Sequence, residues 1–271
     1  MLNFEEQKKR VLSGLMYNDL TPELVEARRV AVELTNEYNA SYGQLPEVRE
    51  PLLRKILGEM GEDVFFEPSF RCEFGYNIKI GNHFYANFDC VMLDPGGIEI
   101  GDNVTLAPRV HILCHDASTK QFIGYTKIGR VTIGDNVFVG AGTIILPGVV
   151  VGNNVIIGAN SLVNKDIPSN CVAAGNPIKI IMPLDTYYMK RKERQAREVT
   201  ELVHKYRECY GKEPDEKALH EFFWLFSDGD SQLTETWKRM MTLVGNEKES
   251  YDALRANKKK YENLDKFLKE I

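Results

Sequence analysis

Cys114 and His115 stand side by side in this 271-residue chain, and of all its residues they promise the most chemistry. An unperturbed imidazole titrates near 6.5, so His115 suits proton abstraction from a hydroxyl or amine at neutral pH. Cys114 is a candidate nucleophile with His115 as its base. Neighbours on an extended segment point to opposite faces, however, so Cys114 reads better as a buried structural thiol. Upstream, Asn87 follows Phe84-Tyr85-Ala86 with no Gly-Asp turn signal beside it. Its amide could orient a hydroxyl or stabilise a developing oxyanion. Tyr85 and Asp94 flank it as candidate substrate contacts.

These residues need a scaffold, and the scaffold is a six-residue repeat. From Ile133 to Pro168 the first position of each six is Ile133, Val139, Ile145, Val151, Ile157 and Val163, every one β-branched and apolar. The fifth position is Val137, Thr143, Val149, Val155, Ser161 and Ile167, all small or branched. Such a period is neither a helix nor a plain alternation. It is the signature of a parallel β-helix whose short strands stack coil on coil. Gly beside Asp or Asn at the corners suits turns that need positive φ. The coils start near Val64 and hold phase from Ile100 through Leu106 and Ile112. Ile112 to Ile133 spans 21 residues, which is not a multiple of six. A loop over residues 116–130 must therefore leave the coil, with His115 at its departure point. Loops on a rigid scaffold are where function concentrates.

Composition narrows the classes. A net charge of −5 with both signs dispersed gives no surface for nucleic acid or anionic membrane. No apolar run approaches the ~20 residues of a membrane span. The opening MLNFEEQKKR lacks the apolar core of a signal peptide. Five scattered cysteines without a CxxC read as reduced thiols in a cytoplasmic protein. His83, His111 and His115 raise a zinc site of the gamma-class carbonic anhydrase kind. Their different repeat positions, and the lack of a carboxylate-rich surround, make this the lesser reading.

Helices flank the repeat. Residues 1–62 read as an N-terminal segment packed on the β-helix. One helix opens at Asn3-Phe4-Glu5-Glu6 and another at Thr21-Pro22, burying Leu24, Val25, Arg28, Val32 and Thr35. A third spans Pro51 to Met60. The coils occupy 63–183. Residues 184–271 form a helical appendage: a helix through Val199 and Leu202 to Gly211, one from Pro214 through Phe222–Phe226, one from about Ser231, and one capped at Asn246 with Glu249. Phe222–Phe226 reads as a helix core.

With these features in hand, residues 4–182 resemble the maltose/galactoside O-acetyltransferase family of hexapeptide-repeat acyltransferases. The resemblance rests on Gly14-Leu15-Met16-Tyr17-Asn18-Asp19, Ile80-Gly81-Asn82-His83-Phe84-Tyr85-Ala86-Asn87-Phe88, Ile100-Gly101-Asp102-Asn103 with Ala107-Pro108, and Ala173-Ala174-Gly175-Asn176-Pro177. It implies a left-handed parallel β-helix, a homotrimer with active sites between subunits, acetyl-CoA as donor and no metal. It places the catalytic base on His115 and oxyanion stabilisation on Asn87. Acceptor contacts fall on Asp19, Arg28, Tyr85 and Asn87, and CoA contacts on Ala141, Ala159, Asn164, Lys165 and Lys179. Four departures stand out: the Cys114-His115-Asp116 context, Glu73 and Met182 at acceptor and CoA positions, Phe138 for a tryptophan, and the helical tail. The expected reaction is O-acetylation of a sugar, oligosaccharide or polysaccharide precursor. An amino-sugar or non-sugar acceptor is the alternative.

Overall fold

The computed structural model describes residues 4–13, 20–243 and 247–271. The chain divides into two compact units, Met1–Tyr187 and Tyr188–Ile271. The first is a parallel β-solenoid of about six turns, visiting three sheets in a fixed order. Sheet one contains Glu59–Met60, Ile78–Ile80, Ile98–Ile100, Val131–Ile133 and Val150–Val151. Sheet two contains Val64–Phe66, Phe84–Ala86, Thr105–Leu106, Val137–Val139, Val155–Ile157, Cys171–Ala174 and the antiparallel Lys179–Pro183. Sheet three contains Arg71–Cys72, Val91–Leu93, His111–Leu113, Ile144–Ile145 and Leu162–Val163.

The hexad's first and fifth positions point inward, as Ile133, Val137, Val139, Thr143 and Ile145 show; all are buried. Turns stack through two ladders at the corner between sheets one and two. In one, Asp102 Oδ1 accepts from the Asn82 N–H at 2.7 Å, Asp135 Oδ1 from the Asp102 N–H at 2.9 Å, and Asn153 Oδ1 from the Asp135 N–H at 2.9 Å. In the other, the amides of Asn103, Asn136, Asn154 and Asn170 are bonded in series at 3.2, 3.0 and 2.9 Å. This corrects the expected role of glycine. Positive φ belongs to Asn103 (56°), Asn136 (56°) and Asn154 (57°), whose short polar side chains tolerate it. Gly101 and Gly134 are required for close approach, because a Cβ on either would overlap the Asp135 or Asn153 oxygen of the next turn.

Three helices precede the coils, α1 (Phe4–Leu12), α2 (Pro22–Ala40) and α3 (Pro46–Ile56), and the last two close the lower end. Thr21 Oγ1 caps α2 by accepting from the Leu24 N–H at 3.5 Å. The buried stripe of α2 is Leu24, Ala31, Thr35 and Tyr38, while Val25 and Val32 face solvent. The third helix starts at Pro46, earlier than the sequence suggests, and contains Pro51; Met60 belongs to the first strand instead. Burial of Leu52, Leu53 and Ile56 in the common core sets its extent. Residues on α2 and α3 satisfy the backbone of the first turn. Tyr38 Oη donates to the Phe66 carbonyl at 3.0 Å and accepts from the Phe66 N–H at 3.2 Å. The Asn39 amide makes the same reciprocal pair with Phe70, at 3.0 Å each way, and Arg49 donates to the Phe66 carbonyl at 3.0 Å.

The second unit has its own core, centred on Val199, Phe223, Phe226, Trp237 and Phe267. The loop helix α4 (Lys120–Ile123) precedes it in sequence. Helix α5 (Leu184–Tyr210) runs into it and ends at Gly211 (φ 63°). Along α5 the buried residues are Leu184, Ala196, Val199 and Val203, with Leu202 outside. Phe222–Phe226 is a 3-10 segment, His220–Leu225, where an α-helix was expected; Phe223, Leu225 and Phe226 are nonetheless core. Then come α6 (Glu235–Leu243), α7 (Glu247–Ala256) and α8 (Leu264–Glu270), the last unforeseen. Arg207 holds the end of the chain through the Leu268 and Ile271 carbonyls, at 2.7 and 2.9 Å. The expected cap at Asn246 lies outside the described residues. Among the described residues, no helix is long and apolar enough to cross a membrane.

Tyr38→Phe should lower the stability of the first unit by about 1–3 kcal/mol, since it leaves the buried Phe66 N–H unpaired and its carbonyl with Arg49 alone. Denaturant titration followed by near-UV circular dichroism checks this.

Candidate active site

The register break is a β-hairpin. His115–Asp116 pairs antiparallel with Lys127–Ile128, and α4 forms the tip with Phe122 and Ile123 exposed. The coil resumes when the Gly129 N–H bonds back to the Cys114 carbonyl at 2.9 Å. Cys114 points inward, fully buried, with Sγ 3.1 Å from the Gly97 carbonyl. Burial pushes its thiol up to about 12, which leaves no thiolate for nucleophilic work.

His115 turns outward, its side chain 25% exposed. Its Nδ1 lies 3.5 Å from Glu73 Oε2, and both atoms are closed to solvent with no hydrogen-bond partner. The other Glu73 oxygen accepts from Arg28 Nε at 3.0 Å. The Arg28 guanidinium in turn lies over the Phe74 ring, 5.1 Å from its centroid. Thus α2 and the turn after sheet three bring Arg28, Glu73 and His115 together. In the sequence Glu73 stands out only as a departure from the pattern of the family that the chain resembles. Its contacts, 45 residues back to Arg28 and 42 forward to His115, have no local sequence signal.

Asp94 belongs to the same corner, but the structure corrects its expected role. It is fully buried. One oxygen accepts from the Glu73 and Phe74 N–H groups at 3.1 and 2.8 Å, and the other from Asn77 N–H at 3.3 Å. It shapes the turn carrying Glu73 and does not face an acceptor. Burial pushes its carboxyl up to about 6, against the opposing pull of the Phe74 and Gly75 N–H groups.

Most of the remaining candidates lie on or beside a different corner, between sheets two and three. Asn87 is half-buried there, and its Oδ1 accepts from the Phe88 N–H at 2.8 Å, which leaves the Nδ2 donors available. Tyr85 stacks on Phe65 and donates to Glu67 Oε1 at 3.2 Å. Ala141 and Ala159 occupy successive turns at this corner, where a Cβ on Gly140 would overlap the Ala159 backbone. Lys179, exposed, opens the antiparallel strand opposite Ala174. Asn164 and Lys165 lie on the His115 side, past sheet three, and both are exposed. Asn87 precedes Val91–Leu93 and His115 follows the adjacent His111–Leu113. A strand of sheet three therefore separates them within one chain. Asp19 lies outside the described residues, as does the rest of the Gly14–Asp19 motif. His83 pairs with Asp63 at 3.0 Å at another corner, and His111 lies on sheet three. Among the described residues no three His, Cys, Asp or Glu side chains converge on a metal position.

A solenoid of hexapeptide turns with a histidine at the root of its one excursion defines a class of acyl-transferring proteins, and the comparisons place the chain within it. Residues 10–61 match the maltose acetyltransferase hexapeptide capping motif, and residues 130–165 the bacterial transferase hexapeptide (six repeats). The Escherichia coli K12 galactoside O-acetyltransferase is 37% identical over 67% of this chain and 93% of its own. A maltose O-acetyltransferase of Clostridium difficile 630 superposes with a TM-score of 0.62 at 43% identity, over 66% of this chain and 97% of its own. A hexapeptide-repeat acetyltransferase of Vibrio cholerae, solved with acetyl coenzyme A, gives 0.60 at 30% identity, over 66% and 98%. The chain belongs to the maltose/galactoside O-acetyltransferase family of left-handed hexapeptide-repeat acyltransferases.

The raised Asp94 pKa has a stability consequence. A folded value of about 6, above the ordinary 3.8, makes a contribution that is complete below pH ~4 and is lost as pH rises toward ~6. Asp94→Asn removes that titration. The stability difference between parent and variant should therefore shift in the variant's favour across this window, as denaturation at a series of pH values would show.

Proposed function

We propose that the protein transfers acetyl from acetyl-CoA to a hydroxyl of a sugar or glycan, with His115 as general base. The observation that carries the reading is the outward-turned His115, held by its Nδ1 side toward Glu73 so that Nε2 is the nitrogen left to accept a proton. His115 Nε2 takes the acceptor proton while the hydroxyl oxygen attacks the thioester carbonyl carbon. The tetrahedral oxyanion is stabilised by the Asn87 Nδ2 donors and backbone N–H groups. Collapse breaks the C–S bond, and the imidazolium returns its proton to the CoA sulfur. No acyl-enzyme forms. Tyr85 and Arg28 fall at acceptor-facing positions. The small-residue corner of Ala141 and Ala159 gives the pantetheine arm a smooth wall, with Asn164, Lys165 and Lys179 toward the nucleotide.

A homotrimer completes the site in this reading. His115 and Asn87 lie at opposite ends of a strand of sheet three, so the Asn87 corner that serves a given His115 comes from a second copy. The outward rungs of two faces support such packing: Phe65, Tyr85, Thr105, Phe138 and Ile156 on sheet two, and Val91, His111, Ile144 and Leu162 on sheet three. Sheet one instead presents Glu59, Lys79, Glu99 and Thr132, with Val150 its one apolar rung. Five free cysteines, four of them buried, fit a cytoplasmic setting.

Thiol release from acetyl-CoA over a panel of mono-, oligo- and nucleotide-sugars tests the reaction. His115→Ala should lower acceptor-dependent turnover by about 10²–10⁴-fold. Turnover unchanged in that variant removes His115 as base, and release with amine acceptors alone changes the acceptor class. Asn87→Ala should cost on the order of 10²–10³-fold. Mixing the two inactive variants and letting subunits exchange should restore a fraction of activity, because some mixed sites then carry both native residues.

A further inference from the structure

We infer that Glu73 is the positioning residue for His115: its carboxylate holds the imidazole in the Nδ1–H tautomer, leaving Nε2 unprotonated and aimed at the acceptor. The inference rests on the reading of His115 as base and adds a role for a residue whose family position otherwise suggests acceptor contact.

Two buried polar atoms at this corner lack partners. Glu73 Oε2 and His115 Nδ1 are each buried without a hydrogen-bond partner and lie 3.5 Å apart. Leaving a polar atom buried and unpaired is costly, and here each is the complement of the other. An ionised carboxylate can only accept, so the nitrogen facing it must carry the proton. That fixes the tautomer. At 3.5 Å the contact is long for a formed hydrogen bond, as catalytic contacts often are before substrate binds.

Two further contacts fix Glu73 itself. Arg28 Nε holds Oε1 at 3.0 Å and balances its charge. Asp94, fully buried, takes the Glu73 and Phe74 N–H groups on one oxygen and so sets the backbone from which the side chain springs. With Oε1 engaged by Arg28 and Oε2 facing Nδ1, the Glu73 side chain is only 13% exposed. Little of it remains to meet an acceptor. When Nε2 takes the acceptor proton, the resulting imidazolium faces a carboxylate across Nδ1, and that charge pair favours the transition state over the ground state.

The test uses full-length protein with Glu73→Ala and Glu73→Gln, assayed for acetyl-CoA thiol release on whichever acceptor the parent uses. Nitrogen-15 NMR of the histidine rings is recorded in parallel. Glutamine offers one acceptor oxygen where Arg28 and His115 need two, so it satisfies only one of them. We expect kcat to fall about 10–10³-fold in Glu73→Ala and by less in Glu73→Gln. The KM values for acetyl-CoA and acceptor should stay within about twofold, and the His115 resonances should move from the Nδ1–H toward the Nε2–H pattern. Melting temperatures of both variants near the parent's show that the fold survives. A rise confined to the acceptor KM, with kcat and the tautomer unchanged, would make Glu73 an acceptor contact and overturn the inference. An unmoved His115 tautomer in Glu73→Ala overturns it in any case, even if the protein is destabilised. Failure of the underlying reading looks different: His115→Ala would then keep activity while the parent still showed the Nδ1–H signature.

Discussion

Everything in the first unit depends on how closely one turn of the solenoid can lie on the next. Backbone hydrogen bonds of a parallel sheet fix that spacing at ~4.8 Å, and at the corners it leaves no room for a Cβ at Gly101 or Gly134. The space that glycine vacates is used by the carboxylates and amides of the following turn, which bond to backbone N–H groups below. Close stacking, absence of side chains and satisfied corner amides are one constraint seen from three sides. It also makes the scaffold rigid enough to hold a histidine by contacts from distant parts of the chain.

The repeat was legible because it is local. A branched residue every six positions declares the strands and the inward face, and a broken phase between Ile112 and Ile133 declares the excursion and puts His115 at its root. Other features depend on what lies across the fold, and no short window contains them. The buried face of α2 passes through Ala31 and Tyr38, leaving Val25 and Val32 outside, because the first turn needs the Tyr38 hydroxyl. Asp94 reads in sequence as a substrate contact and is a buried organiser of a turn. Phe222–Phe226 has the composition of a helix core, yet tertiary packing sets it in 3-10 form. Glu73 gains meaning only beside Arg28 and His115.

The candidate site has two halves of different character. Around His115 the groups are charged, partly buried and mutually engaged, which suits moving and holding a proton. Around Asn87 the wall is lined by small residues and outward-facing aromatics, which suits a long flexible ligand and a single well-placed amide. A strand of sheet three lies between the halves in one chain, so their chemistry is divided by the same geometry that makes the scaffold regular.

A stack of parallel strands has no intrinsic reason to stop, and an open edge is a template for another chain. Here both edges of sheet two are blocked, by dissimilar means. At the bottom, the Tyr38 hydroxyl and the Asn39 amide occupy the very N–H and C=O groups that a further turn would use, so helix side chains impersonate a strand. At the top, Lys179–Pro183 reverses direction and closes with a residue that has no N–H to offer. A further turn is thereby denied its template along sheet two, from above and from below.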